Sequence, residues 1–313
     1  MRFLKRFVLA VVLIFIALIA ADYLVPDVMA RSSLKMQRAM AHLQLKQARI
    51  AGFDMPYLDG GKGEPLVLVH GIGADKDNFD QAAMWLTQHY RVISIDLPGF
   101  GEASKPADAD YGIDAQVARL DLFMQALGLP RAHFGGSSMG GWIVASYAAA
   151  QPDKVQSLWL LGAAGANTAK ESEVRRNYRE SGQFMLFARN QDEFEHIMDT
   201  VFVHRPFVPH SVRHALAARA AQNYSLHTRI FADLIRDMDK TALEDRLAGS
   251  QVPALIVYGD GDRAVDPSAG EVLHKLMPNS KLIVMPGVGH LPMLESPRQT
   301  AKDYIAFRES LGK

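Results

Sequence analysis

Nine residues in the middle of the chain, Phe134-Gly135-Gly136-Ser137-Ser138-Met139-Gly140-Gly141-Trp142, restrict its fold more than any other stretch. An apolar run ends at Phe134, and Trp142 to Ala150 reads as a buried helix. Between them Gly136-Ser137-Ser138-Met139-Gly140 forms a G-x-S-x-G turn. Small neighbours permit the strained backbone that makes a serine hydroxyl project from such a strand-to-helix turn. The helix behind it offers unpaired N–H groups and positive potential where an oxyanion would form. In a chain with 24 glycines the motif alone is weak; the flanking strand and helix, and partners further along, give it weight.

The surrounding pattern fits that turn. Pro65 to His70, Arg91 to Asp96, Val155 to Leu161, Ala254 to Tyr258 and Lys281 to Met285 are short continuous apolar runs of the kind buried on both faces. A further strand is expected within Ile50 to Tyr57, and helices over Phe79 to His89, Ile113 to Leu127 and Pro297 to Leu311. Strands alternating with helices predict an α/β chain with a doubly wound, mostly parallel sheet. The alternation stops after Gly162-Ala163-Ala164-Gly165, and about 167–250 is helix-rich. That insertion is expected to cap the sheet's carboxyl edge, where open α/β sheets bind ligands. The expected division is 1–26, 27–50 and a domain over 51–313.

The first thirty residues stand apart. Arg2, Lys5 and Arg6 precede an apolar run from Phe7 to Ala21 that continues past Asp22 and Tyr23 to Val25. As helix, Phe7 to Val25 spans roughly 28 Å, close to a hydrocarbon core. Its Phe, Val, Leu and Ile residues contribute about −4 to −8 kcal/mol to insertion, against at most about +3 for Asp22 near the end. An uncleaved anchor over 1–26 is expected. The rival is a signal peptide cut after Val28-Met29-Ala30, but the run exceeds a usual signal core. Next, Arg31, Lys35, Arg38, His42, Lys46 and Arg49 recur at helical spacing with no acid from Val28 to Phe53. An amphipathic helix over 27–50 is expected, docked on the domain or facing anionic headgroups.

With 34 basic and 34 acidic residues, nothing global points to nucleic acid. The absence of cysteine excludes disulfides, thiolate metal sites and cysteine catalysis. A serine needs a base, and the base an orienting acid. Of eleven histidines, His290 alone follows the last buried strand in a Gly-rich loop, Pro286-Gly287-Val288-Gly289-His290. Three carboxylates compete as the acid after Tyr258. Asp260 reads as a turn cap, Asp266 before Pro267 as a helix N-cap, and Asp262 is left in mid-loop with no local structural work. Spacing favours Asp262 and leaves the other two open. In His70-Gly71-Ile72-Gly73 the glycines let the Ile72 N–H turn toward that of Met139, and two such donors make an oxyanion hole; a plain Gly-rich turn is the rival reading.

These stretches, the one at His70 continued through Ala74-Asp75-Lys76-Asp77-Asn78, with Asp96-Leu97-Pro98-Gly99-Phe100-Gly101 and Gly259-Asp260-Gly261-Asp262-Arg263, make the chain resemble an α/β-hydrolase. It is especially similar to the membrane-anchored lipase and monoacylglycerol-lipase-like branch, which includes bacterial anchored phospholipases A. The resemblance covers about residues 43 to 311. It implies an α/β-hydrolase fold with Ser138 as nucleophile, Asp262 as acid, His290 as base, and Ile72 and Met139 as backbone oxyanion donors. No cofactor and no metal are implied. Ile72 replaces an aromatic residue often found after His-Gly, and Ser137 stands where Asn or His is common. The serine argues against dehalogenases and epoxide hydrolases of this fold, and Met139 against aminopeptidase relatives.

For substrate the chain offers Phe184, Phe187, Phe202 and Phe207 in the expected cap. Apolar clusters at these spacings serve a cap's own core more often than a ligand. Still, a Met- and Phe-rich cap suits a flexible acyl chain. The expected reaction is hydrolysis of a lipid ester (phospholipid, lysophospholipid or monoacylglycerol) through an acyl-serine. Three rivals are a carboxylesterase or C–C hydrolase for small soluble substrates, a non-catalytic ligand receptor, and a membrane scaffold with a vestigial pocket. The expected partners are the bilayer and its fatty-acyl esters, with a homodimer through the N-terminal helices. The expected place is a bacterial inner membrane with the catalytic domain periplasmic.

Overall fold

The computed structural model describes residues 2–238, 240 and 242–312. In chain order these form α1 (Arg2–Leu24), α2 (Pro26–Met40), β1 (Leu43–Ile50), β2 (Phe53–Gly61), β3 (Glu64–Val69), α3 (Asp80–Leu86), β4 (Tyr90–Ile95), α4 (Ile113–Ala126), β5 (Ala132–Ser137) and α5 (Met139–Ala150). There follow β6 (Val155–Leu161), α6 (Glu173–Ser181), α7 (Gln191–Val201), α8 (His210–Met238), α9 (Leu243–Leu247), β7 (Ala254–Gly259), α10 (Ser268–Leu276), β8 (Ser280–Met285), α11 (Pro292–Glu295) and α12 (Pro297–Ser310).

Eight strands form one sheet in the order β1-β2-β4-β3-β5-β6-β7-β8. β1, β2 and β4 pair antiparallel, and the rest pair parallel. Because side chains alternate across a strand, each strand supplies both faces. Val67, Val69, Ile93, Phe134, Leu158 and Ile256 pack against α4, α5 and α10, while Leu66, Leu68, Val92, Trp159, Leu255 and Val257 pack against α3 and α12. Helix α5 is buried from Met139 to Ala148 and is apolar all round, as a helix enclosed on every side must be. The strand order reverses between β3 and β5, and their ends lie level, Val69 beside Gly136. A crevice opens at such a reversal.

The structure differs from expectation over 27–50. Helix α2 stops at Met40, His42 takes a left-handed φ of 55°, and Leu43–Ile50 is strand β1. Lys46, counted in the cationic stripe, instead bonds Asp59 across the β1–β2 pair at 2.7 Å. Spacing of charges at three and four residues fits a helix but does not forbid a strand when register with β2 is the larger gain. The turn between the strands is Ala51-Gly52, both at positive φ (49° and 87°), the geometry of a two-residue hairpin. Ala-Gly is an uncommon sequence for it, so the sequence reading merges the hairpin into one strand from Ile50.

Helices α6 to α9 form the insertion. It has its own core, where Phe194, Met198, Val201 and Phe202 meet Ala217 of α8. Helix α1 is long and apolar enough to cross a membrane, and its side chains from Phe3 to Ile19 are exposed. Its last turn is tied to the insertion. The Asp22 carboxylate accepts the His210 and Ser211 N–H groups at 2.9 and 3.2 Å, and Tyr23 stacks on the His210 ring at 4.3 Å between centroids. Asp22 thus satisfies amides that the first turn of α8 leaves unpaired.

Candidate active site

Ser138 links β5 to α5 in a strained conformation, φ 53° and ψ −118°. The turn closes only around glycines. A Cβ on Gly140 would lie 2.1 Å from the Val69 carbonyl oxygen, and one on Gly136 2.3 Å from the Gly140 oxygen. The Ser138 N–H donates to the Leu161 carbonyl at 2.9 Å, and its own carbonyl accepts from Trp142 and Ala164 at 3.1 and 3.0 Å. Only 7% of the residue is exposed.

His290 follows β8 and is fixed by its N–H to the Val201 carbonyl at 2.8 Å. Its ring lies against Gly162, where a Cβ would come within 3.0 Å of Nδ1. Gly162 directly follows Leu161, the acceptor of the Ser138 amide, so the serine and the imidazole border the same short segment. Asp262, buried after β7, has its Oδ2 2.8 Å from His290 Nδ1, and its Oδ1 accepts the Ala264 and Val265 N–H groups at 2.9 Å each. The carboxylate partner places the imidazole proton on Nδ1 and leaves Nε2 as the basic nitrogen. Asp260 instead holds the β8 loop through the Gly287 N–H at 2.7 Å, and Asp266 receives the Ser268 N–H at 2.9 Å where α10 begins.

Met139 opens α5, so its amide has no intrahelical acceptor. The Ile72 amide has no acceptor among the described residues. Gly71 touches the serine, a Cβ there meeting Ser138 Cβ at 3.1 Å, and Gly73 takes φ 72°. His70 anchors this turn from below. It donates from Nδ1 to the Gly71 carbonyl at 2.7 Å and accepts the Leu97 N–H at Nε2 at 3.2 Å. Burial pushes its pKa down, consistent with a neutral ring in that pattern.

A cavity of about 750 Å³, open mouth included, begins at Ser138, Met139 and Ile72. Its apolar wall includes Trp142, Leu186, Phe231, Leu234, Ile235 and Met238. The aromatic residues singled out in the sequence take other places. Phe184 and Phe187 pack on Phe231 as a layer behind the wall, Phe202 joins the insertion's core, and Phe207 is 90% exposed. Residues 231, 234, 235 and 238 share one face of α8, a spacing identical to that of a packing stripe. No cluster of His, Asp or Glu able to hold a metal occurs among the described residues.

Beside the Ile72 turn, Asp75, Lys76, Asp77 and Asp96 belong to stretches that carry the family resemblance, but the sequence gives them no role. Lys76 is wholly buried with Asp96, and Asp75 and Asp77 lie close to it; Asp80 is buried near Asp77 and Asp75. Burial, reinforced by Asp77, pushes the Asp80 carboxyl up from 3.8 to about 9. A group whose pKa is raised on folding holds its proton in the native state and loses it on unfolding, so its stability contribution declines as pH rises from about 4 toward 9. Asp80→Asn is therefore expected to raise Tm at pH 8 and to flatten the fall of Tm between pH 5 and pH 9. Parallel Tm profiles for the two proteins would show that Asp80 is not the titrating group.

The alpha/beta hydrolase fold family profile matches residues 64–297. Lipase 3 of Moraxella sp. (strain TA144) is 37% identical over 287 residues, 90% of this chain and 89% of the relative. A monoacylglycerol lipase of Mus musculus is 25% identical over 309 residues, covering 95% and 91%. A solved membrane phospholipase A, described as a bacterial virulence factor, superposes with a TM-score of 0.88 at 37% identity over 98% of both chains. The serine turn, the paired histidine and aspartate, and the sheet that presents them have the same meaning as these likenesses: the chain belongs to the α/β-hydrolase family.

Proposed function

We propose that the chain hydrolyses carboxylic esters of lipids, with Ser138 as nucleophile, His290 as base and Asp262 as its orienting acid. The observation that carries this reading is the Asp262–His290 bond beside a strained serine that opens on an apolar cavity. In the first step Ser138 Oγ attacks the ester carbonyl while His290 Nε2 takes its proton. The tetrahedral oxyanion is held by the Ile72 and Met139 N–H groups. His290 then protonates the departing alcohol, and in the second step it activates a water that releases the fatty acid. The cavity wall suits an acyl chain, and the lipases among the relatives support a lipid ester over a small soluble one. Assay of the purified protein on p-nitrophenyl esters of increasing chain length, monoacylglycerols and phospholipids tests this. Rates that peak at two carbons and vanish on lipids would favour the small-ester carboxylesterase.

The same reading holds the enzyme in a bacterial inner membrane by α1, with the body periplasmic and Arg2, Lys5 and Arg6 on the cytoplasmic side. Arg2, Lys5 and Arg6 directly flank the apolar run, a position where Lys and Arg favour the cytoplasmic side. The exposed flanks of α1 also offer the surface through which two copies would pair; cysteine crosslinking along α1 tests that pairing in a chain that has no other cysteine. Full-length protein is expected in the carbonate-resistant membrane fraction, with the body open to added protease in spheroplasts. Removing residues 1–20, which spares Asp22, should leave hydrolysis of short soluble esters near normal and weaken action on membrane phospholipid. Removing residues 1–26 should also lower Tm, by loss of the α8 cap, which is worth about 1 kcal/mol. Soluble full-length protein would overturn the anchor.

A further inference from the structure

The segment that presents the Ile72 amide is short and contains two glycines, so it does not hold its own shape. It leaves β3 at Val69 and ends in a tight turn over Lys76–Phe79. What fixes it lies at three consecutive residues. Asp75 caps that turn by accepting the Asp77 N–H at 3.0 Å, and its other carboxylate oxygen pairs with the Arg219 guanidinium from the middle of α8. Burial pushes the Asp75 carboxyl up, but Arg219 and Lys76 outweigh it and hold the pKa below the ordinary value. Lys76 ties the segment to the sheet. Its N–H and Nζ reach the two Asp96 oxygens at 2.7 and 3.0 Å, and Nζ also meets Glu102 at 2.7 Å. Asp77 receives Arg38 of α2 on both oxygens, at 2.6 and 2.7 Å.

The Lys76–Asp96 pair fastens the turn to the sheet. The Asp75–Arg219 pair does something else, since it crosses to the insertion that roofs the cavity, and the far end of the same α8 supplies four cavity-wall residues. We propose that Arg219 is a positioning residue for the oxyanion hole. By holding Asp75 it sets the Ile72 N–H against the reacting carbonyl, so that seating the insertion over the cavity and completing the hole are one event. The inference rests on the role given to Ile72 under Proposed function. Without Arg219 the Asp75 carboxylate stays buried beside Asp77 and Asp96 with its main counter-charge gone, and the segment must shift to relieve it. A displacement of about 1 Å in such a donor costs as much as about 10² in rate.

The test uses the full-length protein in micelles with p-nitrophenyl butyrate. Arg219→Gln and Asp75→Asn are each expected to lower kcat by about 10- to 100-fold with KM within about twofold of wild type. The double variant should be no worse than either single, because one interaction is lost only once. Arg219→Lys should restore most of kcat. Affinity for a trifluoromethyl ketone, whose hemiketal oxygen occupies the hole, should fall by the same factor as kcat/KM, while inhibition by product fatty acid stays unchanged. Arg213→Gln, which removes a half-buried pair between α8 and Glu195 of α7, should leave kcat alone. A normal kcat in Arg219→Gln, a loss confined to KM, or an equal loss in Arg213→Gln would overturn the proposal. Should Arg219→Gln not fold, Asp75→Asn with Arg219→Lys decides by the same readouts. Fluorophosphonate labelling of the wild type keeps the two ideas apart. Labelled Ser138 with a normal Arg219→Gln sinks the clamp alone, and an unlabelled Ser138 sinks the underlying reading together with it.

Discussion

Replacing Ser138 by alanine is expected to lower kcat for ester hydrolysis by about 10⁶, the scale on which other serine hydrolases fail when they lose the nucleophile. The residue that faces the cavity next to it, Met139, offers only an amide, and the chain has no cysteine to substitute for the lost oxygen. The fold should survive, because the turn is held by backbone bonds from Ser138 to Leu161, Trp142 and Ala164, all of which alanine keeps. Alanine also carries the same Cβ into the same left-handed backbone, so the strain is unchanged. Tm close to wild type with turnover below a thousandth is the expected pair of readings. Even a tenth of wild-type turnover, with contaminating activity removed, would exclude Ser138 as nucleophile.

Asp262→Asn should follow at about 10⁴ in kcat. The asparagine fits the same space, but its amide can present an N–H toward His290 Nδ1 at 2.8 Å. The imidazole then carries its proton on Nε2, where Ser138 needs an acceptor. The two neighbouring carboxylates do different work, and their variants should separate from it. Asp260→Asn weakens the bond that holds Gly287, and Asp266→Asn the one to Ser268, so both should lower Tm by a few degrees with kcat within tenfold. If Asp260→Asn were the crippled variant and Asp262→Asn near normal, the acid would be misassigned.

The parts of this site that could be read from the sequence are those in which the backbone leaves no choice. Gly136 and Gly140 meet carbonyl oxygens that no Cβ could approach, so the serine turn is written in residue types. Spacing favours Asp262 because Asp260 and Asp266 read as caps; the structure gives Asp262 local work as well, since Oδ1 receives the Ala264 and Val265 N–H groups. Strands β3, β4, β6 and β7 were legible as apolar runs because both faces are covered; β8 carries the same pattern although it is the edge strand and leaves Lys281 and Val284 exposed. Elsewhere the deciding contacts lie far apart in sequence. Leu43–Ile50 joins the sheet because β2 presents a matching register, and no local signal outweighs the helical spacing of its charges. The cavity wall on α8 uses the spacing of an ordinary packing stripe, so Phe231 and Met238 could not be told from core. Arg38 and Arg219 read as two surface cations among many until α2 and α8 bring them to Asp77 and Asp75.

The junction of α1 with α8 leaves no slack between the apolar helix and the body it carries. A tether of loose chain would let the body swivel, but Asp22 and Tyr23 are already fastened to His210 and Ser211 before α1 has ended. A spanning helix sets its tilt partly by the thickness of the bilayer around it. With α1 in a membrane, that tilt is handed directly to the first turn of α8, whose 29 residues reach about 43 Å to the cavity wall. Lipid thickness then becomes a setting of the enzyme as well as of its surroundings.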